Sequence, residues 1–356
     1  MNITGSYKEY YNDALKQVLV DLEDEKNHEN VQKLIEEFLT KATPIITESL
    51  KKSQGEMLED HRLLRSEFEA RLNRRWSKPL ALLESLIIIS LESGEAFYHE
   101  CNSIATTESN LVFEVLIKIH ARACQISCEI LALLRSGFAD GALSRWRTLH
   151  ELSVLSFFIC QHGDEIALMY LEYEYIERYY EMKEYVKYAS RLGHDELNQE
   201  DIDNLVEIRE ELINKYGSDF EKSYGWTMKV LDKKNRNFKG VEESINLDYL
   251  RPYYKLACNY IHLGPKASSH SLSIIEGRNV LLTGSSNYGL ADPGQNTCLS
   301  LTQITTCLLT LYPSYERLLT CRVMDAYLEE ASELFVEVQK QIEKEEESDI
   351  EENVYE

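Results

Sequence analysis

The chain contains few residues that interrupt helices. Among its 356 residues there are only 15 glycines and 6 prolines, and long stretches contain neither. Because a sandwich of many short strands needs frequent turns, this scarcity argues against such a fold and favours helices joined by short connections. The sequence therefore predicts an all-α protein built on a helical bundle. One segment near 273–290, with β-branched residues and turn signals, predicts a short β-hairpin as an exception.

The sequence also lacks the segments that mark membrane or secreted proteins. No apolar run reaches the ~20 residues that a membrane-spanning helix needs. The N-terminus has no cationic start followed by an apolar stretch. None of the eight cysteines forms a Cys-x-x-Cys pair, and most lie in apolar runs. We interpret them as reduced, buried side chains, and predict a cytoplasmic protein with no membrane partner.

Familiar catalytic and cofactor motifs are missing too. There is no glycine-rich phosphate loop, no His-Glu-x-x-His and no Gly-x-Ser-x-Gly. His120, Cys124 and Cys128 share one helical face at four-residue spacing, which is compatible with a metal site. Closed zinc sites, however, usually take ligand pairs from turns at shorter spacing. The sequence predicts no metal and no cofactor.

Positive charge is scarce. The chain has 38 basic and 61 acidic residues, for a formal net charge of −23. A field of this sign repels phosphate, which excludes a general DNA-binding or nucleic-acid-coating protein. Any RNA or nucleotide would have to bind at a local cationic pocket.

Three regions follow from the pattern of apolar residues. Residues 1–76 are predicted to form a helical arm, with a break between two helices at Pro44. A narrow seam in the arm suits packing against one other helix, in this chain or in a second copy as a homodimer. The seam consists of Leu50, Met57, Leu64, Phe68 and Leu72. Residues 77–340 are predicted to be the helical-bundle core, and the acidic tail at 341–356 is predicted to be disordered.

The stretch "LSRWRTLHELSVLSFF" at residues 143–158 carries charged residues on a helical face that becomes apolar. Stepping by three or four residues from Arg147 leads to Glu151 and then to Val154 or Leu155. Charged side chains are rarely buried without partners, so we expect an inward-facing ion pair. Either this pair locks helices together, or Glu151 holds the Arg147 guanidinium ready for a phosphate or carboxylate.

A second polar element is "YYKLACNYIHLGPKASSHS". His262 follows Asn259 and precedes Leu-Gly-Pro, so we expect it at the C-terminal end of a helix, where the helix dipole favours a protonated ring. Lys266 follows in a polar loop, and Tyr254 lies earlier on the same helix. The alternatives are a packed or capping histidine and a binding site to which Asn259, Lys266 and Tyr254 contribute.

Together, "GFADGALSRWRTLHE" at 137–151, "YYKLACNYIH" and "GSSNYGLADPG" resemble a bacterial domain-of-unknown-function family, number 5677, over roughly residues 95–312. The pattern is also similar to the HEPN-like helical superfamily. That resemblance implies a helical bundle and, in some HEPN proteins, metal-independent RNA cleavage by an arginine and a histidine separated by four to six residues.

The resemblance leaves two versions of a catalytic pair open. Arg145 and His150 have four residues between them, although Trp146 stands where a polar residue commonly follows the arginine. In the other version Arg147 stabilises charge and His262 acts as general acid or base, with Asn259 orienting it. The first predicted function is a nucleotide- or RNA-binding effector of a bacterial defence or toxin-like system, with endoribonuclease activity as one outcome. The second is a non-catalytic helical interaction protein.

Overall fold

The structure of the protein is a computed structural model, which describes residues 7–22, 31–262, 271–275 and 282–354. Within those residues the protein is all-α, with eleven α-helices and no strand, as the scarcity of glycine and proline predicts. The helices are α1 (Tyr7–Leu22), α2 (Val31–Arg75), α3 (Ser77–Glu108), α4 (Leu111–Arg135), α5 (Ala139–His162), α6 (Asp164–Leu192), α7 (Gln199–Tyr216), α8 (Phe238–Ser244), α9 (Arg251–His262), α10 (Ala291–Leu309) and α11 (Tyr315–Val354).

The chain divides into two compact units, Met1–Arg74 and Arg75–Glu356. In the first unit the Tyr10 hydroxyl of α1 lies 3.2 Å from the Glu56 carboxylate of α2. The expected break at Pro44 is absent, because α2 runs through this proline. Proline removes one backbone hydrogen bond, but helix formation is cooperative, so the long helical stretches before and after Pro44 continue through it.

The second unit is a bundle in which α10 is central. It packs against α3, α4, α5 and α11, while α3 also packs against α4 and α11. Most of the α10 side chains are buried, including Leu301, Ile304 and Leu308. Even so, none of the helices in the described ranges is long and apolar enough to cross a membrane.

Helices α6, α8 and α9 each pack against α5, α6 also packs against α4, and α7 packs against α6. A hydrophobic cluster forms where α5, α6, α7 and α8 meet. It contains Val154 and Phe158 of α5, Ile176 of α6, and Phe220 and Trp226 from the segment after α7. Helix α5 therefore has the bundle on one flank and the smaller helices on the other.

The predicted hairpin near 273–290 is not seen in the described part of that segment. Residues 271–275 and 282–290 form turns, bends and irregular backbone, and residues 276–281 lie outside the described ranges. Side chains supply the hydrogen bonds that a strand ladder would provide. The Asp140 carboxylate accepts from the Leu272 N–H at 2.8 Å, and the Ser286 hydroxyl donates to the Ser273 carbonyl at 2.8 Å.

The acidic tail is helical rather than disordered up to Val354, since α11 continues through it. Glutamate and lysine are good helix formers, and the first part of the tail docks on the bundle. Ile342 is buried, and Glu343 accepts a hydrogen bond from the Tyr288 hydroxyl at 2.8 Å. Glu345 forms an ion pair with Arg75. Composition alone predicted disorder because it does not reveal these contacts.

Candidate functional site

The side chains of Arg147 and Glu151 meet Tyr254 of α9. Arg147 Nη2 lies 3.1 Å from Glu151 Oε1, and the two side chains keep 24% and 35% of their surface exposed. The Tyr254 hydroxyl donates to the same Glu151 oxygen at 2.5 Å, and the Arg147 guanidinium carbon lies 5.1 Å from the centre of the Tyr254 ring. The ion pair that the sequence predicts is present, and it faces another helix.

Next to this pair, the carboxylate of Glu242 joins His150 of α5 to Arg251 of α9. Its Oε1 lies 2.9 Å from His150 Nε2, and its Oε2 accepts from Arg251. The side chains of His150 and Glu242 are both fully buried. A buried carboxylate is costly unless its oxygens are hydrogen-bonded, and here both are. Because a carboxylate only accepts, His150 Nε2 carries the hydrogen in this contact.

The ring of Tyr254 is the centre of this arrangement. The Arg251 guanidinium carbon lies 5.7 Å from its centroid and the His150 ring centroid 5.9 Å. Burial, and then the hydrogen bond to Glu151, raise the pKa of Tyr254, so its hydroxyl remains a donor at neutral pH. We call the following six residues the polar cluster: Arg147, His150, Glu151, Glu242, Arg251 and Tyr254.

Charge within the polar cluster is balanced, with two arginines facing two glutamates. Three of its nitrogens, however, are buried without a hydrogen-bond partner in the described chain: Arg147 Nε, Arg251 Nε and His150 Nδ1. The guanidinium groups still bind their carboxylates through the terminal nitrogens. The cluster is therefore closed on itself, with a few unused polar atoms.

Arg145 and His150, the pair with HEPN-like spacing, lie on different sides of α5. Arg145 donates to Glu129 of α4, whereas His150 contacts Glu242 of α8. Five residues along an α-helix correspond to a rotation of about 140°, which explains the divergence. The structure does not bring these two side chains to a common partner, so their catalytic roles stay a prediction.

His262 makes no contact with Arg147 in the residues that the structure describes. It is exposed at the C-terminal end of α9, eight residues beyond Tyr254, which is about 12 Å along a helix axis. Burial and then the nearby Asp140 raise the pKa of Tyr260 to about 12, so this end of α9 lies beside the start of α5. Asn259, one turn before His262, is half-buried. Arg147 therefore lies beside the part of α9 that carries Tyr254 and Cys258.

Two further sequence predictions concern Lys266 and a metal. Lys266 lies outside the described residues. His120 Nε2 contacts the Thr305 hydroxyl at 3.2 Å, and Cys128 is exposed. No group of three or more metal-ligating side chains occurs in the ranges that the structure describes, so His120, Cys124 and Cys128 do not form a metal cluster. Burial lowers the pKa of His120 to about 4, which keeps its ring neutral.

A pocket of about 340 Å³ adjoins the polar cluster and shares Glu151 with it. Helices α5, α6 and α8 and residues 223–226 form its walls. The lining residues are Thr148, Glu151, Leu152, Val154, Leu155, Tyr170, Tyr173, Glu177, Ser223, Tyr224, Trp226, Phe238 and Val241. The lining thus contains two carboxylates and five aromatic rings, and no lysine, arginine or histidine. We call it the aromatic pocket.

Trp226 lines the aromatic pocket and packs against two of its tyrosines. Its ring centroid lies 5.3 Å from that of Tyr170, with the planes at 77°, and 6.3 Å from that of Tyr224. Gly225 allows this arrangement because a Cβ there would lie 1.9 Å from the Phe220 carbonyl oxygen. Burial and then Glu151 raise the pKa of Tyr224 to about 12, so its hydroxyl is protonated at neutral pH.

Comparison with known proteins relates the middle of the chain to one family. Residues 113–279 match the model of DUF5677, a family of unknown function. The matched DUF5677 region spans just under half of the chain and includes the polar cluster and the aromatic pocket. No match was found among curated proteins or solved structures. The family resemblance predicted from the short motifs is thus supported for this region, and it carries no activity with it.

Sequence reasoning did not identify Glu242, Glu177 or Trp226. A usable signal existed for Glu242: Phe238, Val241 and Ile245 form an apolar stripe at helical spacing, and Glu242 lies within it. This is the same signal that pointed to Arg147 and Glu151. Glu177 and Trp226 had no such signal, because the pocket combines residues from separate segments.

Proposed function

We propose that this protein is a non-catalytic helical binding protein in which the polar cluster holds α5, α8 and α9 together. The observation that carries the proposal is the pairing of its charged groups with one another. Glu242 binds His150 and Arg251, and Glu151 binds Arg147 and Tyr254. A catalytic guanidinium or imidazole has to reach a substrate, whereas His150 is fully buried.

The separation of Arg147 from His262 supports the same proposal. A general acid or base must come within about 3 Å of the atom whose proton it transfers. Arg147 packs on Tyr254, and His262 lies about 12 Å further along α9. The two side chains share no partner in the residues that the structure describes. The cytoplasmic location predicted from the cysteines is part of this proposal.

The competing proposal is an HEPN-like effector that binds a nucleotide or RNA and cleaves it without a metal. Its support is the pair of buried, unpartnered Nε atoms on Arg147 and Arg251, because a phosphate oxygen accepts well from such donors. Against it, both guanidinium groups already bind carboxylates, and the chain carries a charge of −23. We therefore rank it second.

Expression of the wild type beside His262→Ala, His150→Ala, Arg147→Ala and Arg145→Ala separates the two proposals. Growth and RNA integrity are measured in cells, and thermal unfolding with the purified proteins. We expect intact RNA and equal growth for all five. We also expect His150→Ala to unfold at a lower temperature and His262→Ala to unfold like the wild type, because His262 is exposed.

The decisive variant is His262→Ala, since its side chain can be removed without disturbing the core. RNA cleavage by the wild type that disappears in this variant, with unfolding unchanged, would contradict the non-catalytic proposal. Cleavage by the wild type that is lost only in unstable variants such as His150→Ala would also contradict the non-catalytic proposal, because the wild type would then be an active ribonuclease.

The arm supplies the second part of the proposed function, which is contact with a second copy of the chain. Ile35 and Leu39, one turn apart on α2, are 52% and 54% exposed, and Leu63 is also more than half exposed. Large apolar side chains at helical spacing are typical of surfaces that pack on another helix. Light scattering of the full chain should give a dimer, and Leu39→Glu a monomer. A monomeric wild type would contradict this part.

A further inference from the structure

The aromatic pocket has the chemistry of a cation-binding site. Its lining contains Tyr170, Tyr173, Tyr224, Trp226 and Phe238 together with Glu151 and Glu177. The faces of aromatic rings carry negative electrostatic potential and attract ammonium groups, most strongly when the groups are out of water. Both charged groups of the lining are negative. A phosphate or carboxylate ligand would meet repulsion from each of them.

Glu177 forms no ion pair in the residues that the structure describes, although Lys118 and Arg122 line an adjoining cavity together with it. In the described chain no lysine, arginine or histidine lies within ion-pair distance of it, and it makes no hydrogen bond. Burial, followed by Glu181 and Glu174 on the same helix, raises the pKa of Glu177. These three acids follow one another at spacings of three and four residues, so they share a face of α6. A bound cation would relieve their mutual repulsion.

Glu151 adds a second acceptor at the boundary with the polar cluster. Its Oε1 is used by Arg147 and Tyr254, whereas its Oε2 makes no hydrogen bond in the described part of the chain. The nearby Arg147 does not line the pocket, and its charge is matched by Glu151 itself. Glu151 therefore belongs to both sites. Its Oε1 binds Arg147 and Tyr254 in the polar cluster, and its Oε2 has no such contact in the described chain.

We propose that the aromatic pocket binds an organic ammonium ion that carries alkyl groups, such as a trimethylammonium group. The rings surround the alkylated cation, and Glu177 balances its charge, since the charge of Glu151 is already matched by Arg147. A bare metal ion fits poorly, because the described residues contain no cluster of three metal-ligating side chains and rings do not replace oxygen ligands. The volume of about 340 Å³ lies at the lower end of the range for small-molecule sites.

The proposal names a ligand class that the proposed function leaves open. It does not depend on the arm contact or on the result of the ribonuclease experiment, because neither involves the pocket. The ligand is either a free small molecule or a methylated side chain of another protein. Both present the same alkylated ammonium group, and the experiment includes one probe for each.

The test is calorimetric titration of the full chain with choline and with 3,3-dimethylbutan-1-ol, which has the same shape without the charge. We expect choline to bind and the alcohol to bind at least about tenfold more weakly, as the loss of a desolvated cation–π contact and its charge requires. Tryptophan fluorescence provides a second readout. Trp226 lines the pocket, whereas Trp76 and Trp146 are fully buried elsewhere.

Matched variants locate the binding. Glu177→Gln keeps the shape and removes the charge, and should weaken choline binding by about fivefold or more, in line with the loss of one ion pair. Glu181→Gln removes the same charge one turn away, outside the lining, and should change binding by less than about twofold. Trp226→Phe keeps a ring, so it should retain binding by calorimetry while the fluorescence change disappears.

Equal binding of choline and the neutral alcohol would overturn the proposal, and so would the absence of choline binding. An unchanged affinity in Glu177→Gln would do the same, because the cation would then lie elsewhere. A peptide that contains trimethyllysine is titrated in parallel with its unmethylated form. Tighter binding of the methylated peptide than of choline assigns the ligand to a protein, and the reverse order assigns it to a free metabolite. Both results support the ammonium site.

Discussion

The polar cluster and the aromatic pocket share one residue of α5, Glu151, but treat charge in opposite ways. In the polar cluster two glutamates face two arginines, and the buried Glu242 has both oxygens bonded. In the pocket Glu177 has no ion-pair partner among the described residues, and Glu174 and Glu181 on the same helix are acids of the same sign. Buried charges that satisfy one another depend on their partners, because removing one leaves the other unpaired, whereas an unmatched charge beside a cavity is available to a ligand.

This difference shows why an unusual local sequence is an uncertain guide to a binding site. The stretch with Arg147 and His150 attracts attention because charged residues interrupt an apolar helix. In the structure these residues turn toward their own partners on α8 and α9. The pocket draws on α5, α6, α8 and the segment at 223–226, and no single one of these segments reveals it. A charged group beside a cavity that lacks a partner in the structure is therefore a better indication of a binding site than an unusual run of residues in the sequence.

Breaking the polar cluster should have the largest effect. Glu242→Ala leaves His150 and Arg251 without their buried acceptor, and should lower the free energy of unfolding by about 3–5 kcal/mol. Urea unfolding followed by circular dichroism measures this. The control is Glu243→Ala, the next residue, which is exposed and pairs with Lys239 at 3.0 Å. That variant should lose only about 0.5 kcal/mol. Similar losses in the two variants would mean that the cluster does not hold the helices.

His120 is a buried histidine outside the polar cluster. Among the described residues His120 has polar contacts with Thr305 and Cys124, both neutral, and burial lowers its pKa from 6.5 to about 4. The unfolded chain therefore binds a proton in a pH range where the folded chain does not. The stability that results is complete above pH 6.5 and is lost progressively as the pH falls toward 4.

Between pH 7 and pH 5 this linkage should remove about 2 kcal/mol of stability. His120→Gln keeps a hydrogen-bonding group near Thr305 and does not titrate. Urea unfolding of both proteins at the two pH values isolates the histidine, because all other groups are common to them. The wild type should lose about 2 kcal/mol more than the variant. An equal loss would show that His120 does not control this part of the acid sensitivity.

Two arginines of α5 offer a matched test of the Tyr254 contact. Arg147 and Arg145 are equally exposed, at 24% and 25%, and each pairs with one glutamate. Only Arg147 also packs on an aromatic ring. Arg147→Ala should therefore lose about 1.5 kcal/mol and Arg145→Ala about 0.5 kcal/mol, measured by urea unfolding. The reverse order would indicate that the α4 pair of Arg145 contributes more than the Tyr254 cluster does.

Local patterns predicted much of the fold, and they failed where contacts between distant residues decide. The scarcity of glycine and proline was enough for an all-α fold, and helical spacing was enough for the Arg147–Glu151 pair. Composition misjudged the tail, because its order depends on contacts with Tyr288 and Arg75. Whether Arg147 and His262 form a site together depends on how α5 and α9 are aligned, and spacing along one chain does not contain that information.

The smallest effect on stability is expected for Glu177 in the aromatic pocket. Glu177→Gln removes repulsion from Glu174 and Glu181, so it should leave stability unchanged or raise it by about 0.3 kcal/mol. Glu151→Gln weakens the contacts to Arg147 and Tyr254, and should lose about 1 kcal/mol. Urea unfolding of the two variants, without ligand, measures both. If Glu177→Gln were the more destabilised of the two, Glu177 would be a structural residue and the distinction between a self-satisfied cluster and an open pocket would fail.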